Sequence, residues 1–132
     1  MLAAMRSTRL VSGRVTNNYD TPDWTSLERL LSSDELCGHF MWMNDALLED
    51  GDVLNAYKHR WTRRYFHLTA DARTFNYVGD DTYCEVDPYV AIKAVFAGWE
   101  AMLAACECQP TPEERRALRA ALRRAKARRE SA

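Results

Sequence analysis

The sequence feature that most constrains the fold is the dipeptide Asp50-Gly51, which lies between two apolar segments. Asp-Gly is one of the strongest short-range signals for a tight β-hairpin turn, because such turns require positive φ angles that these residues tolerate. The turn therefore favours antiparallel strands on both of its sides. Residues 36–48 also carry apolar side chains at helical spacing, and the turn is the reason for preferring a strand over 40–48.

Short strands continue after this turn. Runs rich in aromatic and β-branched residues cover 53–59, 64–69, 74–78 and 83–86, with turn residues between them. Such side chains prefer pleated, half-buried surfaces. The pattern therefore predicts an antiparallel β-meander of four to five strands.

Helical signals flank the predicted meander on both sides. Thr25 and Glu28 have the spacing of a capping box, which begins a short N-terminal helical segment. Asp87 followed by Pro88 begins a long helix over 88–105, whose apolar face covers one side of the sheet. The predicted fold class is α+β: a meander packed against a long helix, with a short N-terminal helical segment and a basic C-terminal helix.

Charge is distributed unevenly along the chain. Residues 111–132 contain eight Lys or Arg and three acidic side chains, a net charge of +5, whereas residues 1–110 have a net charge of −6. A second capping box, Thr111 to Glu114, precedes a stretch rich in Ala, Leu and Arg, which are strong helix formers. The predicted organisation is a flexible leader over 1–20, a single α+β domain over 21–108 and a basic helical tail over 109–132.

A basic tail on an acidic body is typical of proteins that meet an anionic partner. A second basic cluster lies at 57–67, where Lys and Arg alternate with aromatic residues. Arg matches phosphate and carboxylate groups bidentately, and aromatic rings stack on bases. These clusters predict a non-enzymatic binding or regulatory protein that engages nucleic acid or an acidic protein surface. The candidate contact residues are Lys58, Arg60, Arg63, Arg64, Arg115, Arg116, Arg119, Arg123, Arg124 and Lys126.

The alternative is a small enzyme or small-molecule binder in which His59, His67, Arg63 and Arg64 act on a phosphate or carboxylate ligand. It requires the two imidazoles to converge in a concave pocket. The sequence contains no nucleophile elbow, P-loop, glycine-rich dinucleotide motif or zinc-protease motif, so it indicates no particular reaction. A hairpin with core-facing aromatic rings and solvated cations also accounts for the 57–67 cluster.

Cysteine spacing and hydropathy give the remaining expectations. Cys106 and Cys108, with Cys37 and His39, could supply four zinc ligands, but their spacings fit structural zinc sites poorly, so neither a metal nor another cofactor is expected. No apolar run approaches the ~20 residues of a membrane span, and no secretion signal is present. Reduced thiols and a cytoplasmic location are therefore expected.

Overall fold

A computed structural model describes residues 6–17 and 20–131 of the chain. This part of the chain forms six β-strands and five α-helices. The strands are β1 (Ser7–Thr16), β2 (Phe40–Leu48), β3 (Val53–His59), β4 (Tyr65–Leu68), β5 (Thr74–Gly79) and β6 (Thr82–Val86). The helices are α1 (Thr25–Leu31), α2 (Asp34–Cys37), α3 (Pro88–Phe96), α4 (Trp99–Ala105) and α5 (Pro112–Ser131).

The six strands form one closed antiparallel barrel, in which β1 pairs with both β2 and β6. The prediction of an open meander of four to five strands packed on a long helix is therefore wrong. The strand that closes the barrel, β1, lies inside the range 1–20, for which the sequence predicts a flexible leader. Residues 1–5 and 18–19 of that range lie outside the described residues. The sequence pattern that would identify β1 as a strand is weak. Gly13 has a φ of 71°, and the pairing of β1 with β2 shifts register between Leu10 and Val15, which interrupts the alternation of buried and exposed side chains.

The long helix predicted over 88–105 is two helices, α3 and α4. Gly98 separates them with a φ of 82°, a left-handed conformation that glycine adopts without the steric cost that a Cβ would add. The start of α3 is as predicted, since Asp87 Oδ1 accepts a hydrogen bond from the amide of Tyr89 at 2.7 Å. Trp99 is buried in the same core as Phe96, so the apolar periodicity continues across the break and conceals it.

A bulge in β2 divides the buried side chains between two cores. The strand predicted over 40–48 is confirmed, but its pairing with β3 shifts register between Trp42 and Asn44. Phe40 and Trp42 consequently pack in the large core beneath the helices, whereas Ala46 and Leu48 pack in a smaller core on the other face of the sheet. Strict alternation along the strand would place these four side chains on one face, but the bulge reverses the alternation and separates them. The smaller core also contains Leu54, Phe75 and Tyr83.

The C-terminal helix α5 is the basic helix that the sequence predicts within 109–132, and residue 132 lies outside the described residues. It packs against α1, α2 and α3, with Ala121 and Ala125 buried in the large core. Its capping box forms reciprocally: Glu114 N–H donates to Thr111 Oγ1 at 3.0 Å, and Thr111 N–H donates to Glu114 Oε1 at 2.8 Å. Within the described ranges, no helix combines the length and the apolar character that a membrane span requires.

Candidate functional site

The exposed face of α5 carries a row of four cationic side chains, Arg116, Arg119, Arg123 and Lys126, here called the α5 row. Their spacing of i, i+3, i+7 and i+10 places them on one face of the helix, opposite the buried alanines. All four side chains are exposed. With a rise of 1.5 Å per residue, the row is about 15 Å long.

Most of the α5 row lacks an ionic partner within the protein. Arg116 lies 3.4 Å from the carboxylate of Glu113 on the same helix. In the part of the chain that the structure describes, Arg119, Arg123 and Lys126 have no carboxylate within 4.0 Å. The row is therefore a strip of cations whose charge is open to solvent.

The cations beside the row are used to dock α5 on the body. Arg115 Nη1 lies 3.3 Å from the Glu100 carboxylate, and Arg124 Nη2 donates to the carbonyl of Leu31 at 2.8 Å. Both contacts join α5 to another helical part of the protein. Two of the predicted contact residues, Arg115 and Arg124, thus have structural contacts that the α5 row lacks.

The basic residues of the β3–β4 hairpin do not form one patch. Arg64 Nη1 donates to the carbonyls of Ala94 and Ala97 at 2.8 and 2.9 Å and so ties β4 to the C-terminal end of α3. The ammonium group of Lys58 lies 5.7 Å from the centre of the Tyr65 ring, which is a cation–π contact. Both side chains therefore contact the protein itself.

Arg60 and Arg63 are exposed in the turn between β3 and β4. The amide of Arg60 donates to the carbonyl of His39 at 2.9 Å, and the His39 side chain contacts Glu114 in the first turn of α5. This turn therefore lies next to the N-terminal end of α5. In the described residues the guanidinium groups of Arg60 and Arg63 make no hydrogen bond or ion pair, so both are available to an external anion.

His59 and His67 lie on opposite faces of the sheet. In the pairing of β3 with β4, Ala56 is opposite His67 and Tyr57 is opposite Phe66. His59 shares the face of Tyr57, because the two are separated by two positions on the same strand. The structure therefore does not bring His59, His67, Arg63 and Arg64 together, and the convergence of imidazoles that the enzyme alternative requires is not observed.

His59 instead belongs to a buried hydrogen-bonded chain with His39 and Glu114. The amide of Thr62 donates to His59 Nδ1 at 3.2 Å, which places the His59 proton on Nε2. That Nε2 lies 3.3 Å from His39 Nδ1, so it donates there and the His39 proton is on Nε2. His39 Nε2 in turn donates to Glu114 Oε2 at 2.5 Å. Each nitrogen thus has one partner, and the chain is complete with both imidazoles neutral.

Burial keeps these two histidines uncharged. Desolvation lowers the pKa of His59 to about 4, with a further contribution from neighbouring His39. Burial also lowers the pKa of His39, although the hydrogen bond to Glu114 opposes the shift. Because every ring nitrogen already has a partner, this chain offers no group to a substrate. The chain joins β3, the residue before β2 and the first turn of α5. No short-range pattern in the sequence indicates it, because His39 and Glu114 are 75 positions apart.

A cleft opens where β4 and β5 diverge. The two strands pair only at His67 with Phe75 and at Leu68 with Thr74. Beyond these pairs, a cavity of about 430 Å³ lies between the two strands and α3, with an adjoining opening of about 300 Å³. Together they are called the β4–β5 cleft. Its polar and aromatic lining consists of Arg64, Tyr65, Phe66, His67, Phe75, Asn76, Tyr77 and Tyr83.

His67 is a half-buried polar group of the β4–β5 cleft. Its ring stacks on Tyr65, with centroids 5.6 Å apart and an angle of 9°, and lies edge-to-face with Tyr83 at 5.2 Å. Desolvation lowers the pKa of His67 to about 4, so the imidazole is neutral at pH 7. Neither ring nitrogen of His67 has a hydrogen-bond partner among the residues that the structure covers. His67 therefore differs from His39 and His59, whose nitrogens are all engaged.

The cysteines are dispersed. Cys106 and Cys108 are exposed after α4, whereas Cys37 and Cys84 are half-buried. Across 6–17 and 20–131, no group of three or more His, Cys, Asp or Glu side chains is arranged to hold a metal ion. Comparison of the chain with protein-family models, with curated proteins and with solved structures gave no match.

Proposed function

We propose that this is a non-enzymatic binding or regulatory protein that engages an anionic partner, nucleic acid or an acidic protein surface, through the α5 row. The observation that carries the proposal is that Arg119, Arg123 and Lys126 are exposed on one helix face without an acidic partner in the described structure.

Electrostatic repulsion within the row supports an anionic partner. Arg119 and Arg123 are four residues apart, and the pairs Arg116/Arg119 and Arg123/Lys126 are three apart. Like charges at these spacings destabilise a helix by a few tenths of a kcal/mol for each pair. An anion beside the row relieves this repulsion, which adds to the favourable free energy of binding.

The rigid docking of α5 supports the same proposal. Ala121 and Ala125 are buried and Arg124 is tied to α1, so the helix is held before any partner arrives. A pre-organised row loses less conformational entropy on binding than a disordered basic arm does. Only the four long side chains of the row remain to be ordered.

The acidic body sets the expected affinity. Residues 1–110 have a net charge of −6 and repel the same anion that the row attracts. Non-specific binding to nucleic acid has a Kd of roughly 10⁻⁴ to 10⁻⁶ M at physiological salt. We expect the weak end of that range, with steep loss of affinity as salt rises. Arg60 and Arg63 are expected to make a smaller, additive contribution.

The test is fluorescence anisotropy with labelled duplex DNA, single-stranded RNA and a poly-glutamate peptide at two salt concentrations. The variant Arg119→Gln/Arg123→Gln/Lys126→Gln removes three charges from the row. It should weaken binding by about tenfold or more. On duplex DNA, the slope of log K against log salt concentration should fall by the amount that corresponds to roughly two to three phosphate contacts. The matched control, Arg9→Gln/Arg14→Gln/Lys93→Gln, removes three exposed charges elsewhere and should bind like the unmodified protein.

Two results contradict the proposal. One is the absence of binding to every probe at low salt. The other is an equal loss of binding in the row variant and the control, which would show that net charge matters and the row does not. Binding to poly-glutamate without binding to DNA or RNA would retain the row as the site and identify the partner as an acidic protein surface.

A further inference from the structure

We propose that the β4–β5 cleft binds a small planar aromatic carboxylate, with the ring among the tyrosines and the carboxylate towards Arg64 and Asn76. The cleft is formed by β4, β5 and α3, and its lining residues do not include the α5 row. The inference is therefore independent of the function proposed for α5.

The shape of the cleft fits a small molecule. Because β4 and β5 pair at only two positions, their remaining residues form the two walls of a wedge that α3 closes with Ala91, Ala94 and Val95. The volume of about 430 Å³ falls in the range typical of small-molecule sites, roughly 300–1,000 Å³.

The aromatic lining is exposed to an unusual degree for large side chains. Tyr77 is 50% exposed and Tyr65 is 36% exposed, and the neighbouring aliphatic Val78 is 59% exposed. Tyr77 also contacts Tyr83, with ring centroids 5.2 Å apart. A planar aromatic ring in the cleft would cover these surfaces, and ring–ring contacts stabilise binding beyond the area they bury.

His67 supplies an unused hydrogen-bonding group at the inner wall of the cleft. A neutral imidazole has one N–H donor and one acceptor nitrogen, and neither is engaged within the described residues. The His67 side chain is half-buried, and the buried polar atoms without a partner in the described structure do not include its ring nitrogens. A ligand in the cleft would therefore exchange a hydrogen bond between water and the imidazole for one of its own.

The charges around the cleft favour an anion over a cation. Within the described part of the chain, Arg64 lines the cavity and no acidic side chain lines either opening. Arg64 Nη1 is fixed by two carbonyls of α3, which holds the guanidinium at the edge of the cleft. The Asp80-Asp81 turn is the acidic group next to the tyrosines, since the hydroxyl of Tyr77 accepts a hydrogen bond from the amide of Asp81 at 3.2 Å, but neither carboxylate lines the cavity.

The test compares three probes of equal size by NMR titration: 2-naphthoate, 2-naphthalenemethanol and 2-naphthylmethylamine. We expect saturable binding of the carboxylate below about 5 mM, with shifts at His67 and Tyr77, and at least fivefold weaker binding of the alcohol and the amine. The variant Asn76→Asp places a carboxylate in the cleft and should weaken naphthoate binding fivefold or more. Gln109→Glu makes the same chemical change on an exposed residue outside the cleft and should have no effect.

The variant Tyr77→Leu removes one ring from a half-exposed position and should weaken naphthoate binding by about two- to tenfold. The proposal is wrong if none of the three probes binds, or if binding is unchanged in both Asn76→Asp and Tyr77→Leu. Equal or tighter binding of the amine would overturn the assignment of an anionic ligand. Because the α5 row variant is expected to bind naphthoate normally, this proposal and the one for α5 can fail separately.

Discussion

His39 Nε2 donates a hydrogen bond to Glu114 Oε2 at 2.5 Å, although the two residues are 75 positions apart in the sequence. The other carboxylate oxygen of Glu114 accepts from the amide of Thr111 at 2.8 Å. One side chain therefore caps α5 and joins it to the histidine chain in the core. This contact fixes where α5 begins and how its first turn lies against the barrel.

The variant Glu114→Gln should lower the free energy of unfolding by about 1.5–3 kcal/mol, the usual contribution of a hydrogen bond to a charged group. A glutamine has one acceptor oxygen, so it cannot accept from both Thr111 and His39. Placing its amide group against His39 Nε2 would force the other tautomer and disturb the bond to His59. Urea unfolding monitored by tryptophan fluorescence measures the change.

Glu113→Gln is the matched control, because Glu113 is exposed and pairs only with Arg116 on the surface of α5. Its effect should stay below about 1 kcal/mol, as for other exposed ion pairs. Equal destabilisation by the two variants would show that the contact between Glu114 and His39 contributes little.

Protein stability should fall as the pH drops from about 6.5 towards about 4. Burial lowers the pKa of His39, and it lowers the pKa of His59 and of His67 to about 4. In this window the unfolded chain, with ordinary histidine pKa values, binds more protons than the folded protein does. The free energy of unfolding therefore rises with pH and reaches its full value above about 6.5.

Urea unfolding at about pH 7.5 and about pH 5 should differ by about 2–4 kcal/mol, since each pKa unit corresponds to about 1.4 kcal/mol. NMR titration of the imidazole signals is the companion measurement. Equal urea midpoints at the two pH values, or ring signals that titrate near 6.5, would be inconsistent with neutral buried histidines.

Gly98→Ala should destabilise the protein by about 1–2 kcal/mol, the cost of a left-handed conformation for a residue with a Cβ. No atom lies within 4 Å of the added Cβ, so the cost is one of backbone conformation alone. Gly38→Ala is the control, because Gly38 has a helical φ of −63° and should change stability by less than about 0.5 kcal/mol. Thermal unfolding of the two variants tests this. If Gly98→Ala leaves the melting temperature unchanged, the backbone between α3 and α4 must adopt another conformation without cost.

The thiols should differ in reactivity. Burial raises the pKa of Cys37 to about 11, with the nearby Glu28 and Asp34 carboxylates adding to the shift, whereas Cys106 and Cys108 are exposed. Because the thiolate is the reactive form, iodoacetamide at about pH 8 should modify Cys106 and Cys108 at least about tenfold faster than Cys37. Peptide mass spectrometry measures the rates, and denaturant should equalise them. Rapid modification of Cys37 in the folded protein would contradict this description of its surroundings.

Local patterns in the sequence determined most individual elements. Asp50-Gly51 predicts the hairpin between β2 and β3, Asp87-Pro88 predicts the start of α3, and the Thr111 capping box predicts the start of α5. All three are confirmed, because turn and cap chemistry acts between residues a few positions apart. The cationic character of α5 is likewise a property of the sequence alone.

The tertiary structure decided how these elements are assembled. Closure of the barrel depends on β1, whose register shift removes the periodic signal, and the division into two cores depends on the bulge between Trp42 and Asn44. Pairing between β1 and β6 joins strands at the two ends of the sheet, and no short-range pattern specifies such a contact. The sequence therefore determined where the β2–β3 hairpin turns and where α3 and α5 begin, and only the packed structure determined which elements meet.

The same division applies to the candidate sites. Exposure of the α5 row follows from helical spacing, so the sequence could indicate it. The separation of His59 from His67 follows from strand alternation combined with the true register, which places one in the core and the other in the β4–β5 cleft. The pairing of His39 with Glu114 depends on packing between residues distant in sequence. Local periodicity carries information about faces of single elements, whereas sites formed between elements depend on long-range packing, which the folded chain alone specifies.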